Sequence, residues 1–192
     1  MIVITRHGET EWNQLGQFQG WKDSALTEKG RFQAKSVALG VKELVQKTEF
    51  RMVSSPLGRA VETSSIIAKV LGYRGAVELN PLLKEHSFGA WEGLTKLEVK
   101  LDRADEWNQR LADKWNYIIP AGESYSCIMY RATKWLNTLA KDRSFVVTIH
   151  EMMSKVIRGA YLGIDPCEMP ALSHKNNEIF ILKNGVQYKM SC

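Results

Sequence analysis

The chain has 192 residues, a formal net charge of +5 and a hydrophobic fraction of 44%, with 24% of its residues charged. This composition excludes global disorder, and the length is that of a single domain spanning residues 1–192. No apolar segment reaches the roughly 20 residues that a membrane helix needs, and the first residues lack the pattern of a signal peptide. We therefore expect a globular protein without a membrane partner.

The cysteine content and the distribution of charge indicate the cellular compartment and the class of binding partner. Cys127, Cys167 and Cys192 are too few for a disulfide framework, so we expect a reducing, cytoplasmic location. Lysine and arginine are spread along the chain rather than gathered in a run. This pattern favours a small anionic molecule as the partner over a nucleic acid.

Short apolar runs alternate with helical patterns in the first eighty residues. Ile2–Thr5 and Arg51–Ser54 predict buried strands, and Val77–Leu79 predicts a further one. Thr27 can cap a helix, and Gly72 can end the next one. The apolar positions at helical spacing in these two helices are Val37, Val41, Leu44 and Val45, followed by Ala60, Ile67, Val70 and Leu71.

The stretch 81–121 is less regular and rich in tryptophan, with Trp91, Trp107 and Trp115. Leu94–Leu111 is predicted to contain helix, although no clear apolar stripe places it in the core. We expect 81–121 to form a cap over a site. Simple core packing is the alternative, because tryptophans bury large areas without needing a ligand.

The last third of the chain returns to a regular pattern. Ser124 can cap a helix, and Phe145–Ile149 predicts a buried strand. Asn184-Gly185 is typical of a two-residue turn joining Ile179–Leu182 to Val186–Met190, and this hairpin offers an edge for a homodimer. The helical stripes on either side of the buried strand are Ile128, Ala132, Trp135, Leu136 and Leu139, then Met153, Val156, Ile157 and Ala160.

Alternating strands and helices predict a three-layer α/β/α sandwich, with a mainly parallel central sheet and helices on both faces. Ligands of such sheets bind beyond the carboxyl ends of the strands. Three predicted strands are followed there by polar residues. These segments are Arg6-His7-Gly8, Ser55-Pro56-Leu57-Gly58-Arg59 and His150-Glu151.

This set of side chains suits phosphate chemistry. The guanidinium groups of Arg6 and Arg59 offer forked donors for a tetrahedral oxyanion. A neutral imidazole, such as that of His7, can accept a phosphoryl group, and His150 can donate to its oxygens. Each residue alone also has a structural interpretation: Arg59, for example, could simply pair with Glu62.

Metal binding is not favoured, and no cofactor is predicted. The histidines show no H-x-x-x-H spacing and no matching cysteines. The four histidines are His7, His86, His150 and His174. Lys22, Lys96 and Lys114 could add positive potential near the site, although exposed surface lysines are the common explanation.

Several blocks of residues occur in an order shared with one known family. They are Arg6–Thr10 with Trp12-Asn13, Gly20–Asp23, Leu26–Gly30, Ser54–Ala60 with Glu62-Thr63, Leu83–Glu85 with Phe88–Gly93, Gly122–Ser124, and His150. With these blocks the chain resembles the histidine phosphatase superfamily, the phosphoglycerate mutase-like enzymes, and in particular its small bacterial phosphatases. The blocks cover nearly the whole chain.

The resemblance implies a role for each matching residue. His7 would attack phosphorus and become a phosphohistidine, while Arg6, Arg59 and His150 would hold the phosphoryl group. Asn13 would lie at the rim of the pocket.

A carboxyl group is also implied. Glu85 would protonate the leaving oxygen and then activate water, and Glu92 is the nearest competitor for this role. Such general acid help is typically worth about 10²- to 10⁴-fold in rate.

The expected function is a metal-independent phosphomonoesterase that hydrolyses a small phosphorylated metabolite. A phosphoglycerate mutase-type phosphotransferase is the first alternative, and a non-catalytic phosphate-binding or regulatory protein is the second. Mutases among the relatives carry an insertion before the second histidine. The short stretch between Glu85 and His150 therefore favours hydrolysis.

One residue departs from the family pattern. The family usually has glycine directly after the second histidine, where this chain has Glu151. Its carboxylate either points away from the site or lies beside an anionic ligand. There, like charges about 4–8 Å apart would repel by roughly 2–4 kcal/mol at an effective dielectric constant of about 20. We hypothesise that Glu151 contributes to substrate binding and tunes specificity.

Overall fold

The computed structural model describes residues 1–140 and 142–192, and its centre is a six-stranded sheet. The strands are β1 (Ile2–Arg6), β2 (Phe50–Ser54), β3 (Glu78–Leu79), β4 (Ser144–Ile149), β5 (Glu178–Lys183) and β6 (Val186–Ser191). Their order across the sheet is β3-β2-β4-β1-β5-β6. The first four of these are mutually parallel, whereas β5 runs antiparallel to β1 and β6 antiparallel to β5.

Helices cover both faces of the sheet, which confirms the predicted three-layer α/β/α architecture. The helices are α1 (Glu11–Gln14), α2 (Glu28–Val45), α3 (Gly58–Leu71), α4 (Lys96–Asp102), α5 (Ala104–Ala112), α6 (Tyr125–Asn137) and α7 (Glu151–Leu162). Side chains of a strand alternate between its faces: Val3 packs with α2 and α3, whereas Ile2 and Ile4 pack with α6 and α7.

The predicted helix caps and the hairpin turn are confirmed. Thr27 Oγ1 accepts a hydrogen bond from Gly30 N at 2.9 Å, and Ser124 Oγ accepts one from Cys127 N at 3.3 Å. Gly72 ends α3 with a φ of 63°. The turn between β5 and β6 has positive φ at both of its central residues, Asn184 and Gly185, as a type I′ turn requires.

The segment predicted as helix within Leu94–Leu111 is two helices, α4 and α5, which meet at Arg103. The apolar stripe is missing because these short helices bury only Val99 and Arg110 between them. A separate small core of Phe88, Trp91, Val99 and Ile119 supports this part of the chain. Core packing, the alternative interpretation of the tryptophan-rich stretch, is therefore confirmed for Trp91.

Three further details differ from the sequence reading. The four-residue helix α1 was not predicted, Leu139 lies beyond the end of α6, and β3 has only two residues, both exposed. In the described part of the chain, no helix is long and apolar enough to cross a membrane. Cys127, Cys167 and Cys192 are all free thiols.

Candidate active site

The carboxyl ends of β1, β2 and β4 meet at one edge of the sheet. Backbone hydrogen bonds continue one residue past the strands, from His7 N to Ile149 O and from Ser55 N to Thr148 O, both at 3.0 Å. His150 then occupies the position directly before the first residue of α7, without a capping hydrogen bond from its side chain. Parallel pairing thus brings together two histidines that are far apart in sequence.

The imidazoles of His7 and His150 lie in contact, with ring centroids 5.1 Å apart, and both are buried. His7 Nδ1 lies 2.7 Å from Gly8 O. A carbonyl oxygen can only accept, so Nδ1 carries the proton and the lone pair is on Nε2. Burial and the positive charges of Arg59 and Arg6 hold the pKa of His7 well below its ordinary value. His7 is therefore neutral at pH 7 and can act as a nucleophile.

Ser55 positions the ring of His150. Its hydroxyl lies 2.7 Å from His150 Nε2 and also accepts a hydrogen bond from Leu57 N at 3.3 Å. The hydrogen of this buried hydroxyl has no other acceptor among the described residues, so it is directed at Nε2, which leaves the His150 proton on Nδ1. The sequence reading treated Ser55 only as a turn residue.

Arg59 is held by the segment that precedes α2. Its Nη1 donates to Lys22 O and Asp23 Oδ1, each at 2.9 Å, and its Nη2 donates to Gly20 O at 2.8 Å. The carboxylate partner is Asp23 rather than Glu62, which instead pairs with Arg31 at 2.7 Å.

Glu151 turns toward the site rather than away from it. Its carboxylate pairs with Arg6 Nη1 at 2.9 Å and with Lys155 Nζ at 3.0 Å, and the same Arg6 nitrogen donates to His174 O at 2.6 Å. Burial raises the pKa of Glu151, but Arg6 and Lys155 outweigh it, so that its pKa lies below its ordinary value. The carboxylate is therefore charged at pH 7 and neutralises part of the positive charge of Arg6.

Three buried nitrogens around His7 have no hydrogen-bond partner among the described residues. They are Nε of Arg6, Nε of Arg59 and Nδ1 of His150. Leaving a buried donor unpaired costs about 1–3 kcal/mol, more for a charged group. Such a cluster of donors fits a tetrahedral oxyanion, whose oxygens can accept several hydrogen bonds at once.

Glu85 lies against the first turn of α7. Its Oε1 accepts from His86 N at 3.0 Å and from Met153 N at 3.1 Å, and its Oε2 accepts from Met152 N at 3.2 Å. Burial raises the pKa of Glu85 above its ordinary value, although these N–H groups and Arg59 oppose the shift. A carboxyl group in this state can give up and take back a proton nearer neutral pH.

Two side chains that sequence reasoning missed hold Glu85 in place. Arg131, on α6, donates to Leu82 O at 2.7 Å, to Lys84 O at 2.9 Å and to Glu85 O at 3.1 Å. Trp21 Nε1 also donates to Glu85 O, at 2.8 Å. No sequence pattern pairs these residues with Glu85; Trp21 was noted only as part of a family block.

The two remaining candidates have structural partners. Glu92 accepts from the backbone N–H groups of Trp21 at 2.9 Å and Lys22 at 3.1 Å, so it fixes the segment that holds Arg59. Asn13 Oδ1 accepts from Thr10 N at 3.1 Å and closes the capping box of α1. The position of Asn13 at the rim of the pocket stays a prediction.

Among residues 1–140 and 142–192, no His, Cys, Asp or Glu cluster has a metal-ligating arrangement.

Residues 2–187 match the sequence model of the histidine phosphatase superfamily (branch 1), and the chain belongs to this superfamily. A protein of Erwinia tasmaniensis named "Probable phosphoglycerate mutase" is 35% identical over 167 residues, which cover 85% of this chain and 75% of that protein. A 2,3-bisphosphoglycerate-dependent phosphoglycerate mutase of Parvibaculum lavamentivorans is 35% identical over 65% of this chain and 59% of that enzyme.

Solved structures support the fold assignment. A mycobacterial glucosyl-3-phosphoglycerate phosphatase superposes with a TM-score of 0.78 and 27% identity, covering 94% of this chain and 90% of that one. Similar proteins thus include both phosphatases and mutases.

Proposed function

We propose that the protein is a metal-independent phosphomonoesterase that hydrolyses a small phosphorylated metabolite through a phosphohistidine at His7. The observation that carries the proposal is the group of three unpaired buried donors beside a neutral His7. A nucleophile surrounded by fixed positive dipoles suits phosphoryl transfer, in which positioning and charge stabilisation supply most of the catalysis.

In the first half-reaction, His7 Nε2 attacks phosphorus while the bond from phosphorus to the ester oxygen breaks. Arg6, Arg59 and His150 stabilise the equatorial oxygens, where negative charge is concentrated. The protonated carboxyl of Glu85 gives its proton to the leaving oxygen, so that an alcohol departs. The phosphoryl group shares Arg6 with the carboxylate of Glu151, which also pairs with Lys155.

In the second half-reaction, the carboxylate of Glu85 takes a proton from a water molecule. The hydroxide oxygen attacks phosphorus, and the bond between phosphorus and Nε2 breaks. Inorganic phosphate is released, while His7 is again neutral and Glu85 is again protonated.

Rapid-quench labelling with a ³²P-labelled phosphomonoester tests the proposal. The wild-type protein should acquire a label that is stable in alkali and lost in acid, and it should release inorganic phosphate. His7→Ala should acquire no label while keeping the wild-type circular dichroism spectrum, because removing a side chain at a strand end disturbs little packing. His174→Gln, which changes a buried histidine outside the reacting set, controls for labelling elsewhere. Labelling of His7→Ala at the wild-type rate would contradict the mechanism.

A phosphoglycerate mutase-type phosphotransferase is the second candidate, because relatives with 35% identity carry that name. It shares the first half-reaction but passes the phosphoryl group to a second acceptor. Incubation with 3-phosphoglycerate and 2,3-bisphosphoglycerate separates the two: a mutase forms 2-phosphoglycerate faster than inorganic phosphate. A purely regulatory protein, the third possibility, would bind phosphate and acquire no label.

A further inference from the structure

A groove of about 840 Å³ lies at the edge of the sheet opposite the candidate active site. Its base is formed by Ile2, Phe145 and Leu182, near the start of β1, the start of β4 and the end of β5. Ile2 is paired with both of the other residues, so the three lie side by side in the sheet. His7 and His150 follow the opposite ends of β1 and β4, so the groove is separate from the candidate active site.

Apolar side chains form most of the walls of this groove. Met129 and Leu136 line it from α6, and Ala160 and Tyr161 line it from the end of α7. Met129, Leu136 and Tyr161 pack against the core on this face of the sheet but remain only half-buried. The small side chain of Ala160 leaves space between the two helices. Small-molecule sites are concave, mostly apolar and about 300–1,000 Å³ in volume, and this groove has all three properties.

Both charged side chains that line the groove are cations. Arg143 and Lys183 are exposed, and neither forms an ion pair with a carboxylate of the described residues. Within residues 1–140 and 142–192, no aspartate or glutamate lines the groove. The Tyr161 hydroxyl accepts a hydrogen bond from Gly185 N at 3.1 Å, in the turn that follows Lys183. The hydrogen of this hydroxyl is then free to be donated to a ligand.

The two cations flank the same point of the sheet edge. Arg143 lies two residues before Phe145, and Lys183 directly follows Leu182, on the strands at either side of β1. Neighbouring strands are about 4.8 Å apart, so the two backbones are separated by about 10 Å. Lysine and arginine side chains are long enough to close this distance, so that both charges can contact one anionic group. Charge complementarity therefore indicates an anion at the rim of an apolar groove.

We propose that this groove is a second binding site, for a small amphipathic anion with one carboxylate and an apolar body, as in a medium-chain fatty acid. The apolar body lies between α6 and α7, over Ile2 and Phe145, and the carboxylate pairs with Arg143 and Lys183. A neutral ligand gains nothing from the two cations, and an anion without an apolar body buries none of the groove walls. Such a site goes beyond the proposed phosphatase function and does not depend on it.

Titrations with octanoate and octylammonium test the site, because the two molecules have similar apolar chains and opposite charges. Met129 lines the groove, so its ¹³C-labelled methyl group reports binding by NMR. We expect octanoate to bind saturably and to shift this resonance. Octylammonium should bind at least tenfold more weakly, since attraction to two exposed cations and repulsion from them each change the affinity by about threefold. No saturable shift with octanoate, or equal affinity for the two molecules, would overturn the proposal.

Three variants locate the bound molecule. Ala160→Phe places a ring in the space between α6 and α7 and should weaken octanoate binding by about tenfold or more, while circular dichroism checks that the fold is kept. The double variant Arg143→Gln/Lys183→Gln changes two exposed residues, which leaves folding intact, and should weaken binding by about tenfold, or about threefold for each charge pair. Lys134→Gln removes an exposed charge of α6 that does not line the groove and should leave the affinity unchanged. Wild-type affinity in either Ala160→Phe or the double variant would overturn the proposal.

Two controls separate this site from the candidate active site and from a dimer interface. Inorganic phosphate should not compete with octanoate, and His7→Ala should bind octanoate with wild-type affinity, because His7 lies at the opposite edge of the sheet. Competition by phosphate would place octanoate in the candidate active site and reject the groove. Sedimentation equilibrium should find the same oligomeric state for the wild-type protein and Ala160→Phe, whereas a dimer that Ala160→Phe dissociates would assign the groove to a second copy of the chain. Octanoate binding with these properties would support the site even if the protein hydrolyses no phosphomonoester.

Discussion

Glu151 Oε2 lies 2.9 Å from Arg6 Nη1, so that a carboxylate of the protein already contacts one of the two guanidinium groups beside His7. Lys155, one turn later on α7, holds the other oxygen at 3.0 Å. A phosphate oxygen that approaches Arg6 must therefore share this cation with Glu151. We expect this ion pair to lower the affinity for phosphate below that of two arginines without a carboxylate partner.

Glu151→Gly should tighten the binding of inorganic phosphate. Removing a like charge near the anion recovers part of a repulsion of roughly 2–4 kcal/mol, partly offset by loss of the Lys155 anchor. We expect a fall of about tenfold in the competitive inhibition constant of phosphate. Glu151→Gln, which keeps the shape of the side chain, should also lower this inhibition constant. Glu43→Gln, at an exposed position on α2, is the control. An unchanged inhibition constant would remove Glu151 from the binding site.

Arg59→Lys should lower kcat/KM by about 100-fold. The guanidinium satisfies Gly20 O, Lys22 O and Asp23 together, and an ammonium cannot do so while also reaching a phosphate, because it lacks the planar fork. Each charged hydrogen bond lost is worth about 1.5–3 kcal/mol. Steady-state kinetics checks the prediction, with Arg74→Lys as the exposed control. Wild-type phosphate affinity in Arg59→Lys would mean that Arg59 does not bind the phosphoryl group.

The pH range over which kcat/KM is high should be extended at both ends by the pKa shifts of His7 and Glu85. His7 reacts when neutral; since burial and the two arginines lower its pKa, activity persists as the pH falls below the ordinary histidine range. Glu85 donates when protonated; since burial raises its pKa, its protonated form survives to higher pH and activity is lost as pH rises through that value.

Glu85→Gln tests this assignment. The amide cannot release a proton, so kcat should fall by about 10²- to 10⁴-fold and the decline with rising pH that belongs to Glu85 should disappear. The second ionisation of the ester, near pH 6, affects both proteins equally. If the variant keeps the decline, another group supplies the proton. Glu92→Gln should instead lower stability, because Glu92 binds backbone N–H groups of Trp21 and Lys22.

Ser55→Ala should lower kcat by about tenfold with a smaller effect on KM. The variant leaves His150 Nε2 buried without its partner, at a cost of about 1–3 kcal/mol, and no longer selects the tautomer with a proton on Nδ1. ¹⁵N chemical shifts of the imidazole report the tautomer directly. Ser65→Ala, at an exposed position on α3, is the control. A pure Nδ1–H tautomer in Ser55→Ala would show that Ser55 has no positioning role.

Much of the fold could be predicted from the sequence because the residues that cap helices and form strands act over a few positions of the chain. Thr27 and Ser124 cap the helices they were expected to cap, since a cap needs only a side-chain oxygen three residues before a free N–H. The helix predicted within Leu94–Leu111 is confirmed, but its division into two helices, α4 and α5, was not predicted. Short helices that bury one residue each leave no periodic pattern to detect.

The sequence by itself determined the class of fold and the edge at which His7, Arg59 and His150 meet, because the carboxyl ends of parallel strands share one edge of a sheet. Only the tertiary structure decided the pairing of Glu151 with Arg6 and the contact of Ser55 with His150 across 95 residues of chain. Strand and helix patterns repeat over a few residues and can be read locally. A hydrogen bond or an unpaired charge depends on side-chain directions set by packing between distant segments, which no local pattern records.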